Sequence, residues 1–248
     1  MDLRLDDKVA LITGGSRGIG KAIATEMAAS GARVMIVSRK ADALEQAAAE
    51  IGNGCEWIAG NTGDESTADE AIAATIERFG GLDILVNNAA TNPYAGPMID
   101  VDIPRWDKTI LVNLTAPLFW TQKAWNARMK DHGGVVINIS SVGGLKTSPT
   151  IGVYDLTKSA LIHMTEQLAA ELGPKVRVNA LCPGLIKTDF ARALWEGEKG
   201  IEVAQQYPLK RLGEVEDVSA AAVYLASDAG SWITGQRIVL DGGGKVAF

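Results

Sequence analysis

The stretch of this 248-residue chain with the most chemical potential is V-Y-D-L-T-K at 153–158, just ahead of the apolar run S-A-L-I-H-M. Tyr154 and Lys158 stand four apart, so on a helix both side chains share one face. A free tyrosine titrates at about 10. A neighbouring ammonium favours the phenolate, and a cationic ring would add to that pull. The product is a phenol that exchanges a proton near neutrality, as a general acid or base must. The same spacing also describes an exposed helix pair, so its meaning depends on what else is brought near. Ser140 and Ser141 close one strand-like run, Asn87-Asn88-Ala89 closes another, and Asn113 lies within a long helical segment.

A second such stretch is T-G-G-S-R-G-I-G at 13–20. Gly14, Gly18 and Gly20 permit a tight turn, a backbone close to a pyrophosphate, and a helix N-terminus with free N–H groups. Ser16 and Ile19 belong to the same cofactor-facing turn. About 20 residues on, where a carboxylate would bind ribose hydroxyls and repel a 2′-phosphate, the chain has Ser38, then Arg39 and Lys40. Arg17 and Arg39 with a hydroxyl and no acid favour NADP(H) over NAD(H). The plainer alternative is that Arg39 and Lys40 are solvated charges at a helix start.

The elements that must position these groups follow from periodicity. Apolar β-rich runs at 8–13, 33–38, 55–59, 82–88, 134–140, 177–182 and 236–241 alternate with helical patterns at 18–30, 40–51, 64–79, 104–129, 153–172 and 214–225. Gly31 is placed to end the first helix. Strands apolar throughout are buried on both faces, as in a parallel sheet covered by helices. Strict alternation predicts an α/β fold: a doubly wound parallel sheet of about seven strands with helices on both faces, in one domain over 1–248. Ligands in such sheets bind beyond the carboxyl ends of the strands. The long connections at 89–103 and 184–212 leave from those ends and are candidate substrate walls or lids. Tyr94, Phe190, Leu194 and Trp195 within them suggest an apolar or aromatic guest.

Composition narrows the classes further. A net charge of −6 with no dense basic cluster argues against nucleic acid as a partner. Two separated cysteines, Cys55 and Cys182, exclude a disulfide scaffold and leave no metal-ligand spacing; no metal is expected. The charged start M-D-L-R-L-D-D-K does not suit a secretory signal, no apolar run suits a membrane span, and the end K-V-A-F matches no address signal. The expected location is the cytoplasm. His132 and His163 are lone, with His163 expected to pack among apolar helix positions. Trp106, Trp120 and Trp125 fall in one long helix, which suits a core or subunit contact.

T-G-x-x-x-G-x-G at 13–20, N-N-A at 87–89, Asn113, I-S-S at 139–141, Y-x-x-x-K at 154–158 and C-P-G-L-I-K-T at 182–188 together resemble the short-chain dehydrogenase/reductase family, in order and over essentially the whole chain. The resemblance implies a Rossmann-type fold with Tyr154 as acid/base, Ser141 (rather than Ser140) bonding the substrate oxygen, and Lys158 on the nicotinamide ribose. It implies Asn113 holding a relay water, and Asn87 and Ala89 lining the adenosine side. Pro183, Gly184, Ile186 (through its backbone) and Thr188 would hold the nicotinamide end. It also implies a homotetramer.

Three departures stand out. Ala90 replaces the glycine of N-N-A-G, Asn61 replaces an acid that binds adenine, and Asp155 is unusual beside the tyrosine. The segments 183–195 and 211–217 most resemble an NADPH-dependent carbonyl-reductase branch acting on apolar ketones. The alternatives are a 3-oxoacyl-thioester reductase, served by a basic patch of Lys123, Arg128 and Lys130, and a non-catalytic NADP(H)-sensing protein.

Overall fold

The computed structural model describes residues 3–244; the K-V-A-F end falls outside them. Seven parallel strands form one sheet in the order β3-β2-β1-β4-β5-β6-β7. They are β1 (Val9–Thr13), β2 (Arg33–Ser38), β3 (Glu56–Ala59), β4 (Ile84–Asn87), β5 (Gly134–Ile139), β6 (Val176–Pro183) and β7 (Arg237–Leu240). The order reverses between β1 and β4, so a crevice opens there at the carboxyl ends, where ligands of this architecture bind.

Alternation along the strands supplies both faces. Ala10, Ile12, Ile84, Val86, Val135 and Ile137 enter the core beneath α1 (Gly18–Ala29), α2 (Ala41–Ile51) and α10 (Val215–Ala226). Leu11, Leu85, Val136 and Val178 enter the opposite core beneath α3 (Glu65–Phe79), α5 (Ala116–Ala124) and α7 (Gly152–Leu172). At about 25 cal/mol per Å² of apolar surface removed from water, these two layers supply the main drive to fold. Gly31, at φ +104°, ends α1 in a conformation that side chains resist.

The helix expected at 104–129 is longer and less regular. α4 (Ile103–Ile110), a wide turn at Leu111–Thr115, α5, a second wide turn at Trp125–Met129 and the short α6 (Lys130–His132) follow one another without a break. Asp102 starts the run by accepting from Arg105 N–H at 2.8 Å. The expected open loop at 184–212 instead contains α8 (Arg192–Trp195) and α9 (Glu198–Gln206). Polar and glycine-rich flanks concealed helices this short.

Trp120 is a core residue, with its indole N–H donating to the Thr62 carbonyl at 2.9 Å. Trp125 and Trp106 are half-buried. His163 departs from expectation: its side chain is solvent-exposed and sits 3.7 Å from Glu166, because α7 turns that face outward. Replacing Trp120 with Ala should cost about 3–5 kcal/mol, read as a lower urea midpoint with the slope retained.

Candidate active site

The phosphate-type turn is built before any ligand arrives. Gly14 and Gly18 adopt φ of +68° and +55°. A Cβ on Gly20 would meet both the Gly14 carbonyl oxygen and Asn88 Nδ2 at 2.4 Å, so only hydrogen fits. Arg17 precedes α1 without capping it through its side chain, which leaves the first-turn N–H groups to a ligand anion. Ser16 and Ile19 lie half-buried in the turn, and Ile19 also packs on the core.

This turn is strapped to the end of β4. Thr13 Oγ1 accepts from the N–H groups of Asn88 and Ala89 at 3.0 and 3.1 Å. Asn88 Nδ2 donates to the carbonyls of Thr13 and Gly14 at 2.9 and 3.2 Å. Asn88 is therefore the buttress that sequence reasoning passed over in favour of its neighbours. The Asn87 side chain points the other way. Its side chain turns into the sheet, donating to Asn138 at 2.9 Å and lying 3.2 Å from Thr121 Oγ1, while Asn138 donates to Thr165. Strand alternation sends consecutive side chains to opposite faces, so only one asparagine of the pair can face the turn.

At the end of β2, Ser38 is half-buried and Arg39 exposed. Arg17 is exposed too, and its field contributes to holding Asp189 below the usual carboxylate range, after the larger effect of Arg192. Asn61 spends its amide locally, donating to Asp64 at 3.0 Å and accepting from Gly63 N–H at 3.2 Å.

Three of the residues proposed for chemistry meet where β5 ends and α7 begins. Ser141 Oγ lies within hydrogen-bonding reach of the Tyr154 phenol and accepts from Gly143 N–H at 3.0 Å. Lys158 is buried, its Nζ 5.5 Å from the centre of the Tyr154 ring and donating to the Ile139 carbonyl at 2.7 Å. Ser140 is turned away, bonded to the Lys158 carbonyl at 2.8 Å, which favours Ser141 of the two.

The phenol's acidity departs from the sequence expectation. In the free protein burial pushes Tyr154 up to about 12, Ser141 opposes this, and Asp155 adds to it. Burial also lowers Lys158 to about 8. Desolvation outweighs the attraction expected between the pair, since a low-dielectric site disfavours phenolate and ammonium alike.

Asn113 lies in the wide turn Leu111–Thr115. Its amide clasps Thr91 from both sides, accepting from the N–H at 2.8 Å and donating to the carbonyl at 2.9 Å, and also reaches Thr157 at 3.2 Å. Pro117, four residues on, has no N–H to return to the Asn113 carbonyl, and Ala116 N–H instead bonds Leu111. The A-P pair at 116–117 was the available signal.

The remaining expected cofactor residues border the same crevice. Pro183 is buried at the end of β6, and Gly184 N–H donates to Leu240 at 2.9 Å. Ile186 buries its side chain, while the backbone on either side of it pairs with Gly213 through Leu185 and Lys187. Its own N–H and carbonyl face the opposite side, where the Thr188 hydroxyl donates to the carbonyl at 3.5 Å. The Thr188 methyl would lie 3.5 Å from a Cβ on Gly18, which sets Thr188 against the glycine turn. The turn, the uncapped helix start and these strand ends fit a dinucleotide.

A glycine-lined helix start beside a tyrosine, a serine and a lysine, on an all-parallel sheet, is the architecture of oxidoreductases that use NAD(P)(H). The chain belongs to the short-chain dehydrogenase/reductase family. A family profile described as Enoyl-(Acyl carrier protein) reductase matches residues 14–245. The human protein named Dehydrogenase/reductase SDR family member 4 is 40% identical over 244 residues, covering 96% of this chain and 88% of its own. Its namesake from Caenorhabditis elegans is 36% identical over 249 residues, covering 97% and 96%. A solved short-chain type dehydrogenase/reductase from Mycobacterium ulcerans superposes with a TM-score of 0.93 at 36% identity, over 98% of this chain and 92% of that one.

The two neighbouring asparagines should separate experimentally. Asn88→Ala loosens the glycine turn and should weaken NAD(P)H binding about tenfold in a fluorescence titration. Asn87→Ala leaves buried partners unpaired and should cost about 1–3 kcal/mol in urea unfolding, with cofactor affinity within twofold.

Proposed function

We infer that the protein reduces a ketone or aldehyde carbonyl to an alcohol with NADPH. The observation that carries this reading is the Tyr154 phenol held beside Ser141, with the Lys158 ammonium 5.5 Å from its ring. Ser141 Oγ accepts from Gly143 N–H, so its own proton remains to donate to a substrate oxygen. Tyr154 gives its proton to that oxygen as negative charge develops there. A carbonyl oxygen placed between two such donors is polarised in the transition state more than in the ground state, which is what lowers a barrier. Bound NADPH supplies the hydride to the carbonyl carbon.

Lys158 orients the cofactor ribose and tunes the phenol, and Asn113 holds a water that returns a proton to the site. Gly14, Ser16, Gly18, Ile19 and Gly20 seat the pyrophosphate. Ala89 lines the adenosine side, as do the backbone of Asn87 and, more weakly, Asn61. Pro183, Gly184, Ile186 and Thr188 hold the nicotinamide end. Arg17 and Arg39, with Ser38, favour NADP(H): Arg17 belongs to the turn, Ser38 and Arg39 follow Val37, whose carbonyl accepts from Gly14 and Gly15 N–H, and the chain has no carboxylate at these positions.

The substrate wall supports an apolar guest. The Phe190 ring lies 6.1 Å from that of Tyr154, and Phe190, Leu194 and Ile201 are exposed on the segment that follows β6. Trp195 has spent its N–H on the Thr188 carbonyl at 2.8 Å and offers only its ring. Tyr94 is committed elsewhere, with its hydroxyl on Pro97 and Arg105 stacked on its ring.

Reduction of a 3-oxoacyl thioester is the second reading, favoured by the acyl-carrier description of the matching profile. Against it, Lys123 of the basic patch is occupied by Asp69 at 2.8 Å and Glu65 at 3.4 Å. A non-catalytic sensor has no need of the intact tyrosine, serine and lysine set. Among the described residues no helix is long and apolar enough to cross a membrane and no group of side chains could hold a metal.

Tyr154→Phe should lower kcat by about a hundred- to ten-thousandfold, with the NADPH dissociation constant within about threefold. A phenylalanine variant of normal turnover sinks the reductase. Arg17→Ala combined with Arg39→Ala should raise the KM for NADPH about tenfold or more and leave that for NADH unchanged, as lost charge-assisted bonds to a phosphate require. A homotetramer is expected by light scattering at micromolar concentration, and a monomer contradicts it.

A further inference from the structure

Asp155 stands beside the proposed acid, and the reading above gives it no task. It lies in the first turn of α7 with 5% of its surface exposed. Neither carboxylate oxygen completes a hydrogen bond of ordinary geometry. A buried carboxylate so weakly bonded costs free energy, and a neutral residue of the same size would pack there at less cost. The helix start favours negative charge, which keeps ionisation within reach.

Its surroundings give the residue a use. Oδ1 is pressed against Gly143: a Cβ built on that glycine would fall 2.1 Å from Oδ1 and 3.4 Å from Ser141 Oγ. Gly143 is the residue whose N–H fixes Ser141 Oγ at 3.0 Å. On the other side of the same turn, Val142–Leu145, a Cβ on Gly144 would lie 2.6 Å from the Lys158 carbonyl carbon. The turn thus packs on α7 at two points, through Gly143 on the Asp155 carboxylate and through Gly144 on the Lys158 backbone. Lys146 beyond the turn and the Ser148 N–H draw the Asp155 carboxyl down, but burial pushes it up to about 6. Tyr154 is the titratable neighbour on its own helix, with buried Lys158 one turn further. On the facing α4, Arg105 is taken by Asp102.

We propose that Asp155 is a positioning residue: its carboxylate braces the Val142–Leu145 turn that presents Ser141, and its charge disfavours the Tyr154 phenolate, keeping the phenol a proton donor. The proposal rests on the reductase reading of the site. It gives the departure from the family pattern at this position a specific consequence for proton transfer.

The test uses the full chain with NADPH and an apolar ketone, and NADP with the matching alcohol. Asp155→Asn keeps the shape and removes the charge. The pH limb that reports the phenol in alcohol oxidation should then move down by half a unit or more, about a threefold gain in oxidation on that limb. KM for NADPH should stay within twofold. Because the carboxyl's folded value of about 6 lies above its ordinary 3.8, ionisation lowers stability as pH rises through that window. The Asn variant should therefore match or exceed the wild-type Tm at pH 8, by a larger margin than at pH 5. Gly143→Ala puts a methyl where Oδ1 sits and should lower kcat about tenfold, and adding Asp155→Ala should restore part of the loss. An unmoved limb in an active Asn variant, or a Tm lowered equally at both pH values, overturns the proposal alone. So does a Gly143→Ala defect that Asp155→Ala leaves unrelieved. A wild type that turns over neither ketone nor alcohol overturns the reductase reading, and this proposal with it.

Discussion

The constraint on which everything else depends is that β1, β4, β5 and β6 are mainly apolar and buried on both faces. A strand of that kind has to be covered twice, and parallel strands joined by helical crossovers cover it twice with short connections. All strand ends of one polarity then fall on a single edge. The glycine turn, the Asn88 strap, Ser141 and the Pro183–Thr188 segment come from four different strands. They meet only because those strands point the same way.

At that edge the protein gathers ionisable groups that have lost much of their water, Lys158 and Asp155 buried and Tyr154 half-buried. Lys158 is lowered to about 8, Tyr154 raised to about 12 and Asp155 raised to about 6, each chiefly by burial. A site in this state favours its neutral forms until a ligand brings compensating charge. Polar groups deeper in the sheet are treated differently. Asn87, Asn138, Thr121 and Thr165 are linked by hydrogen bonds that tie β4 and β5 to α5 and α7. That chain holds the floor beneath the chemistry, with no ionisable member.

The helical run from Ile103 to His132 shows a different kind of local control. Pro117 removes one backbone donor, the helix widens, and Asn113 turns its amide onto Thr91 and Thr157. The result joins the segment after β4 to the helix that carries Tyr154 and Lys158. One missing N–H thus helps hold an amide against Thr157, 44 residues further along the chain.

The sequence by itself determined the sheet, the order of its elements and the identity of the chemical groups, because those depend on periodicity and on residue type at fixed spacing. The apolar runs marked all seven strands, the glycines marked the turn, and Tyr154 with Lys158 could be placed on one helix face. Tertiary structure alone decided which asparagine of the 87–88 pair faces the turn, since a one-residue choice of face depends on the register of the neighbouring strands. It set the Ser140 hydroxyl on the Lys158 carbonyl, and it decided that 184–212 carries two short helices. In the free protein it also pushes the Tyr154 phenol up, where a lysine and a cationic ring together were expected to pull it down. Spacing shows which charges are neighbours, but only packing shows how much water is left between them, and in this site the loss of water is the larger effect.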